Sequence, residues 1–441
     1  MKRPHVQRSP QQGAVIVMVA LALVVMLGFL GLIVDLGRMF IIKTELQNAT
    51  DACALAAARE LTCSASAVGG TCPGTFLQNA EAAGIAVGNR NLVDLQSTNA
   101  ALGPDNISFS TVLSGPGGSD SVYQTIAGGA SSNSQYVMCT LPQTGIVMYI
   151  LRLLGFGPQT VNAMAVATLS PSVTSCAIPL GVCQGPNSQG AANDYGLTVG
   201  QWLTGLYAPG SKNTGSYNWI DFTPPNGGAN ELYAMLTGAG ECNLPPVGTL
   251  VGQQGQLTSL TKYWNTRFGL YTSNLTPSNA QPDKTGITYT ASSTSGANSL
   301  TWPCAFNAYG GNASTCTDAS GDKATASNFV TSQAQNLPYQ SSNPMGLGNN
   351  YANMLPSPLA GNRRIAVAPI IDCSLLSGSN PQSTPVQGYA CVLMLNPMTD
   401  KNGAGAASVE FEGLSNTPGN PCATTGLPGG SVGPMVPTLV Q

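Results

Sequence analysis

The hydrophobic positions of the chain form one long uninterrupted run and many short ones. Residues 13–34 are 22 consecutive positions without a charged or strongly polar side chain. A helix of that length is about 33 Å long, which is close to the hydrocarbon thickness of a bilayer. The run therefore predicts a membrane-spanning helix. Its predicted anchoring positions include Gly13, Val17, Leu21, Val25, Leu30 and Val34.

The helical pattern continues beyond the apolar run. Residues 36–61 contain no proline and many good helix formers, and Gly69-Gly70 follows soon after. We therefore expect the helix to extend through 35–62 outside the membrane. A stripe of mostly small residues on this extension would let another backbone approach closely; either the chain's own globular part or a neighbouring helix of an assembly would supply that backbone. The small-residue stripe comprises Leu46, Ala49, Ala52, Cys53 and Ala56.

Two other interpretations of the apolar run are a buried core helix and a cleaved signal peptide. A signal peptide has an apolar region of roughly 7–15 residues and then a small-x-small cleavage site. Here the run is longer and Asp35-Leu36-Gly37-Arg38 follows it, which favours an uncleaved signal-anchor. Lys2, Arg3 and Arg8 precede the run without any acid, so the positive-inside rule places 1–12 in the cytoplasm and the rest outside.

The remaining chain predicts two exported regions. Residues 63–170 predict an α+β unit, with a helix at 76–89, a strand at 160–169 and a short packed helix at 146–156. Residues 171–441 predict a β-rich domain with a polar insertion at about 271–350. The expected fold class is therefore α+β. The clearest strand patterns of the second region lie at 364–371, 389–395 and 407–411.

Twelve cysteines all lie after the apolar run, and none has the Cys-x-x-Cys spacing of a zinc knuckle. The one histidine, His5, lies on the cytoplasmic side in this orientation, so we expect no metal site. An even number of cysteines in an oxidising compartment predicts up to six disulfides. Sequence proximity suggests four of them: Cys63–Cys72, Cys176–Cys183, Cys304–Cys316 and Cys373–Cys391.

Charge is scarce, at 8% of residues, and the net charge is −3. Three of the 16 cations precede the apolar run, so at most 13 cations face 19 acids in the exported part, a net charge near −6. This balance gives no electrostatic case for nucleic-acid binding. Without an exported histidine or a phosphate-binding loop, the chain predicts no catalytic site, no cofactor and no small-molecule substrate.

Two residue clusters leave other functions open. Glu410 and Glu412 share one face of a predicted strand, where a solvated face is the expectation and a two-carboxylate envelope hydrolase the minor alternative. An aromatic cluster in a glycine-rich segment predicts core or loop packing, or else a patch that contacts carbohydrate or protein. This cluster comprises Trp202, Tyr207, Tyr217 and Trp219.

The N-terminal residues resemble a known family. Gly13-Ala14-Val15, the apolar run, Val34–Arg38, Leu46–Ala52 and Ala54–Ala58 look like the N-terminal module of TadG-like proteins from the bacterial Tad/Flp tight-adherence pilus system. The resemblance implies an inner-membrane, single-pass accessory protein without enzymatic activity. Its implied partners are membrane lipid and the pilus-assembly machinery or pilin subunits. A surface adhesin or carbohydrate-binding protein on the same anchor is the alternative function.

Two positions depart from related patterns. Pseudopilins of this system are cleaved after a glycine and carry a glutamate five residues later, whereas Met18 stands five residues after Gly13. Some relatives carry an Asp-x-Ser-x-Ser metal motif, and the nearest string, at 318–322, lacks the second serine and predicts a turn. The sequence therefore favours neither prepilin processing nor that metal site.

Overall fold

The structure is a computed structural model that divides into two compact units. The first unit comprises the chain as far as Ser170 together with Val436–Gln441, and the second comprises Pro171–Met435. The assignment of 63–170 and 171–441 to separate exported domains stays a prediction. The residues described are 12–63, 72–113, 122–204, 217–224, 228–253, 260–283, 349–350, 363–376, 382–395, 398 and 408–441.

The first unit is built on helix α1, Gln12–Arg59, which continues without a break from the apolar run into the extension. A second helix, α2 (Phe76–Gly88), packs against the buried part of α1. The long N-terminal helix followed by a β-rich region confirms the predicted α+β fold class.

An antiparallel sheet completes the core of the first unit. Its strands are β3 (Ile107–Ser110), β4 (Tyr136–Ile146) and β5 (Gln159–Thr174) in the order β5–β4–β3. Every second residue of β4 and β5 packs towards α1 and α2, as the alternation of a half-buried strand requires. The short strands of this unit are β1 (Leu92–Val93), which pairs with β2 (Thr98–Asn99), and the C-terminal β16 (Met435–Leu439), which pairs with β5.

The second unit contains a small closed barrel of five strands. Its pairing order is β12–β6–β8–β9–β13, and β13 closes the ring by pairing with β12. Closure is achieved because β13 is long: its first residues pair with β9 and the remainder with β12. The five strands are β6 (Leu180–Cys183), β8 (Tyr217–Asp221), β9 (Leu250–Gln253), β12 (Ile365–Ile371) and β13 (Gln382–Met394).

Further elements extend the barrel. β13 also pairs with β14, which in turn pairs with β7, and the end of β5 pairs with β15. Helices α3 and α4 cover one hydrophobic core of this unit. These elements are β7 (Trp202–Thr204), α3 (Gly228–Thr237), α4 (Leu260–Thr266), β10 (Leu270–Tyr271), β11 (Asn349–Asn350), β14 (Ser408–Leu414) and β15 (Ala423–Pro428).

The strand predicted at 364–371 is buried on both faces, which explains its continuous apolar sequence. Ala366, Ala368 and Ile370 pack into one core of the second unit, whereas Val367 and Ile371 pack into another.

A buried arginine caps the C-terminal end of α3. The Arg267 side chain donates hydrogen bonds to the carbonyl oxygens of Leu236, at 2.9 Å, and Met235, at 2.8 Å. Burial, and to a smaller extent nearby Arg363, lower the pKa of Arg267 to about 9, while Asp283 opposes this shift. The guanidinium therefore stays protonated at neutral pH and complements the helix dipole.

A buried carboxylate, that of Asp283, binds the residues that precede β12. Both oxygens of Asp283 are used: Oδ1 accepts from the backbone N–H groups of Arg363, at 2.5 Å, and Arg364, at 3.0 Å, and Oδ2 lies 3.2 Å from Nε of Arg364. The side chains of Asp283 and Arg364 are fully buried. Asp283 and Arg364, which are 81 residues apart in the sequence, are thus joined by an ion pair.

Five disulfides join the described residues. One of the pairs expected from proximity, Cys63–Cys72, is present. The expected pairs Cys176–Cys183 and Cys373–Cys391 are wrong, and Cys304 and Cys316 lie outside the described residues. The remaining disulfides are Cys53–Cys139, Cys176–Cys242, Cys183–Cys373 and Cys391–Cys422.

Extended strands explain both errors. Cys176 precedes Ala177, which pairs with Val367, whereas Cys183 pairs with Ile371; these two partners lie four residues, or about 13 Å, apart along β12. Cys391 pairs across the sheet with Val367, six residues and about 20 Å of strand before Cys373. A disulfide needs Cα atoms within about 7 Å, so neighbours in the sequence along a strand cannot form one.

Two smaller expectations also differ from the structure. Glu410 and Glu412 both lie in β14, but both are buried instead of solvated, and a register shift in the pairing of β14 with β13 interrupts the strand alternation between them. Residues 146–156 do not form a packed helix: only Leu151–Leu154 form a 3₁₀ turn, and several large side chains around it are exposed.

Removing Cys183–Cys373 should strongly destabilise the second unit, because this bond closes 190 residues of chain. The chain-entropy relation gives a loss of about 5 kcal/mol for Cys183→Ser with Cys373→Ser. All four tryptophans lie in Pro171–Met435, so denaturant unfolding followed by tryptophan fluorescence reports on this unit. The control, Cys63→Ser with Cys72→Ser, alters the first unit and should leave that transition unchanged. Equal shifts for both variants would contradict this prediction.

The Asp283 ion pair should contribute to the same transition. Asp283→Asn leaves the buried Arg364 guanidinium without its counter-charge, and we expect a loss of about 3 kcal/mol in the free energy of unfolding. Adding Arg364→Met to Asp283→Asn removes the uncompensated charge and should recover part of that loss, again by tryptophan fluorescence. If the double variant lost as much free energy of unfolding as Asp283→Asn and Arg364→Met lose in total as single variants, the two residues would not be coupled.

Candidate functional site

The apolar half of α1 is exposed around its circumference. Within the described residues α1 alone is long and apolar enough to cross a membrane, with a mean hydropathy of 3.0 over its best 18 residues. The predicted anchoring residues Val17, Leu21, Val25, Leu30 and Val34 are 45–64% exposed; Gly13 lies in the same helix. A core helix would bury such residues, whereas a bilayer covers an apolar helix on every side.

Asp35 fixes a loop of the first unit at the end of the apolar run. Its carboxylate accepts hydrogen bonds from three consecutive backbone N–H groups, those of Tyr149 at 2.8 Å, Ile150 at 2.9 Å and Leu151 at 2.8 Å. These groups open the 3₁₀ turn at Leu151–Leu154, where intrahelical acceptors are missing. Asp35 is 1% exposed, so the first charged residue after the apolar run is buried and satisfied by backbone.

Arg38 holds the same loop from one helical turn further on. Its guanidinium donates to the carbonyl oxygen of Val147 at 3.0 Å, forms an ion pair with Asp94 at 2.8 Å and lies 4.8 Å from the centre of the Tyr149 ring. We call Asp35 and Arg38, with the loop at 147–151 that they bind, the collar. The collar attaches the first unit to α1 where the predicted span ends.

Polar side chains of the next turns bind the backbone of the first unit. Lys43 donates to the carbonyl oxygen of Asn162, and Gln47 donates to that of Met164 at 2.8 Å. On another side of the helix, Glu45 accepts from the backbone N–H of Leu95 at 2.9 Å. The charges that follow the apolar run are therefore attachments of the helix and not simply solvated groups.

The small-residue stripe packs inside the first unit. Leu46, Ala49 and Cys53 are completely buried, whereas Ala52 and Ala56 are half-buried. In the structure, the stripe packs against the chain's own globular part, which is one of the two partners considered from the sequence.

Helix α2 meets this stripe through two glycines. A Cβ atom at Gly84 would lie 3.2 Å from both Ala57 Cβ and Cys53 Sγ, and one at Gly88 would lie 3.0 Å from Cys53 Cβ. Small residues on both helices thus allow α1 and α2 of the same chain to approach closely.

A disulfide makes this attachment covalent. Cys53 of α1 bonds to Cys139 of β4, across 86 residues of sequence. Both cysteines are completely buried in the core shared by α1, α2 and the sheet. The C-terminal half of α1 is therefore a core element of the first unit. It could not dock on a helix of another protein without disrupting this core.

The other clusters singled out from the sequence are described only in part. Tyr217 and Trp219 are buried, and Trp219 packs edge-to-face on Trp264 at 5.8 Å, so this part of the aromatic cluster is core. Tyr207 and the string at 318–322 lie outside the described residues. In the part of the chain that the structure describes, no three His, Cys, Asp or Glu residues lie close enough to hold a metal ion.

The second unit also holds a cavity of about 490 Å³ beside Arg267 and Arg363. The guanidinium of Arg363 donates to the carbonyl oxygens of Thr237, at 2.8 Å, and Gly238, at 2.7 Å. Like Arg267, it caps the end of α3, so both arginines have a structural role.

Sequence reasoning missed the collar. The available signal was an acid directly after an apolar run and a cation three residues later, within an unbroken helical pattern. Side chains three apart share a helix face, so Asp35 and Arg38 could have been assigned to one contact.

Asp35→Asn should loosen the collar, because a neutral amide oxygen replaces two charged acceptor oxygens. Loss of one charge-assisted hydrogen bond, worth about 1.5–3 kcal/mol, predicts roughly 10- to 100-fold faster amide exchange at 149–151. Hydrogen exchange with mass spectrometry measures this in the full chain. The control is Asp51→Asn, since Asp51 accepts from Gln47 on the same helix and should not affect 149–151. Unchanged exchange in Asp35→Asn would contradict the collar's role.

Comparison with known proteins identifies the N-terminal part of the chain. Residues 13–60 match the family model described as "Putative Flp pilus-assembly TadE/G-like". The match covers the anchoring residues, the collar residues of α1 and the small-residue stripe. No curated protein and no solved structure matches the chain.

The exposed apolar helix and the disulfides after it indicate a membrane-anchored, exported protein. Residues 13–60 are a TadE/G-like domain, the module of the Flp pilus-assembly family that the sequence resembles.

Proposed function

We propose that this protein is a structural, non-catalytic accessory of Flp/Tad pilus assembly, anchored in the bacterial inner membrane by α1. The observation that carries the proposal is the continuity of α1. Its apolar half is exposed for lipid, and its other half is locked into the first unit by the collar and by Cys53–Cys139. Such an anchor keeps the first unit close to the membrane surface.

The proposed orientation places residues 1–12 in the cytoplasm and everything after about residue 35 outside. Three cations and no acid precede the apolar run, as the positive-inside rule requires of a cytoplasmic segment. The disulfides between described residues all lie after the run, where an oxidising compartment would form them.

The proposed partners are pilin subunits or the assembly machinery at the membrane. The TadE/G-like match supports this context, because it covers the residues that join the anchor to the exported part. The adhesin alternative loses support from the aromatic cluster, because Tyr217 and Trp219 are core residues. The hydrolase alternative loses support from Glu410 and Glu412, because both lie buried in a sheet.

Pilus assembly should require the protein at the membrane. We expect a strain without the gene to lose surface pili while keeping its pilin, and a version with 1–34 replaced by a cleavable signal peptide to fail to restore them. Sheared surface pilin, measured by immunoblot and electron microscopy, checks this. Equal levels of the exported part must first be established by immunoblot.

The matched control keeps the anchor but changes its sequence. An unrelated apolar span in place of 13–30, with 31–38 retained, should restore pili because it preserves the collar and its seat. Normal pili in the strain without the gene, or pili restored by the soluble version, would overturn the proposed function.

A further inference from the structure

The loop between β4 and β5 exposes an apolar surface next to the membrane-spanning half of α1. Leu153 is 83% exposed and Tyr149 is 61% exposed, and Val147 and Phe156 are also exposed. Large apolar side chains gathered this closely on a surface mark a site that something covers. We call this surface, carried by residues 147–156, the apolar loop.

The apolar loop is seated inside the predicted span, not beyond it. A Cβ atom at Gly31 would lie 2.8 Å from Cγ2 of Ile150 and 3.5 Å from Cδ2 of Leu151, so these side chains rest on the helix at Gly31. Gly31 is four residues before Asp35, which is one helical turn, or about 6 Å, towards the membrane. Interfacial segments bury their apolar side chains about 5–10 Å deep, which is the same depth.

The charges of this region also suit a bilayer surface. Residues 144–158 contain no acid and one cation, Arg152, which is exposed. An arginine beside apolar side chains can extend its guanidinium to lipid phosphates while its stem stays in the apolar layer. Tyr149 is an aromatic residue of the kind enriched at membrane interfaces, and Arg38 lies over its ring.

From this geometry we propose that the apolar loop inserts into the outer leaflet beside α1, as a second contact of the first unit with lipid. The occupant is the bilayer, because the loop is continuous with the surface of α1 that the bilayer covers. The collar places it there: Asp35 holds the backbone of 149–151, Gly31 leaves room for Ile150, and the side chains of Leu153 and Phe156 remain for lipid. This inference rests on the proposed anchoring by α1.

Depth-dependent quenching in vesicles tests the insertion. The full chain with Leu153→Cys carries an environment-sensitive fluorophore and is reconstituted in phosphatidylethanolamine–phosphatidylglycerol vesicles with spin-labelled acyl chains. We expect a blue-shifted emission and quenching several-fold stronger than for the same fluorophore at Val112→Cys. Val112 is also exposed, and it follows β3, whose Ile107 packs on Gly84 beside Cys53. Cys53 lies about 27 Å further along α1 than Asp35.

A fluorophore at Leu30→Cys distinguishes failure of the loop insertion from failure of the membrane anchoring by α1. Quenching at residue 30 without quenching at residue 153 would overturn the inserted loop and leave the anchor in place. Absence of quenching at both positions would overturn the proposed anchoring and the inserted loop with it.

A pair of glycine substitutions tests how the loop is positioned. A larger side chain at Gly31 meets Ile150, whereas at Gly28 nothing lies within 4 Å. Gly31→Leu should therefore unseat the loop and reduce the quenching at residue 153 several-fold, while Gly28→Leu, with the same change in the same span, should not. Equal quenching in both variants would contradict the seat on Gly31.

Discussion

The attachment of the exported part to the membrane depends on how a single carboxylate is satisfied. A helix that leaves a bilayer and enters a folded unit must place its first charged residue somewhere, and α1 buries it. Asp35 is tolerated there because three backbone N–H groups of one loop point at it, an arrangement that a chain adopts where a turn begins. The loop gains acceptors for its N–H groups, and the helix gains a fixed contact at the end of its apolar run.

This contact lets one helix act in two environments. Before Asp35 the side chains of α1 are large, apolar and exposed; after it they become small where α2 crosses, and polar where they reach the backbone of β5. Ala49 and Cys53 are too small to anchor a helix by their own buried area, so Gly84 and Gly88 bring α2 close and Cys53–Cys139 adds a covalent bond. Any contact that fixes the position of the apolar half of α1 in the membrane would then also fix the position of the first unit.

The features that the sequence could predict are those that a local pattern determines. The apolar run, the helical extension, the strand after Gln159 and the doubly buried strand β12 each depend on the spacing of neighbouring residues. The disulfide partners, the collar and the burial of Glu410 depend on which segments meet in space, and proximity in the sequence is a poor guide to that. Cys183 and Cys373 show this clearly, since they meet across the parallel pairing of β6 with β12.

The proposed lipid contact of the apolar loop adds a constraint that α1 alone lacks. One helix in a bilayer can tilt in any direction, so a unit attached through it could lean towards any side of the membrane surface. A second lipid contact on one side of the helix restricts the tilt, because leaning away from that side would lift Leu153 and Phe156 out of the apolar layer. Gly31 and Asp35 lie on the same face of α1, one turn apart, so the seat of the loop and the collar place the second lipid contact on the same side of the helix. A partner in the membrane would then meet the first unit at one inclination to the bilayer, as ordered assembly of a filament requires.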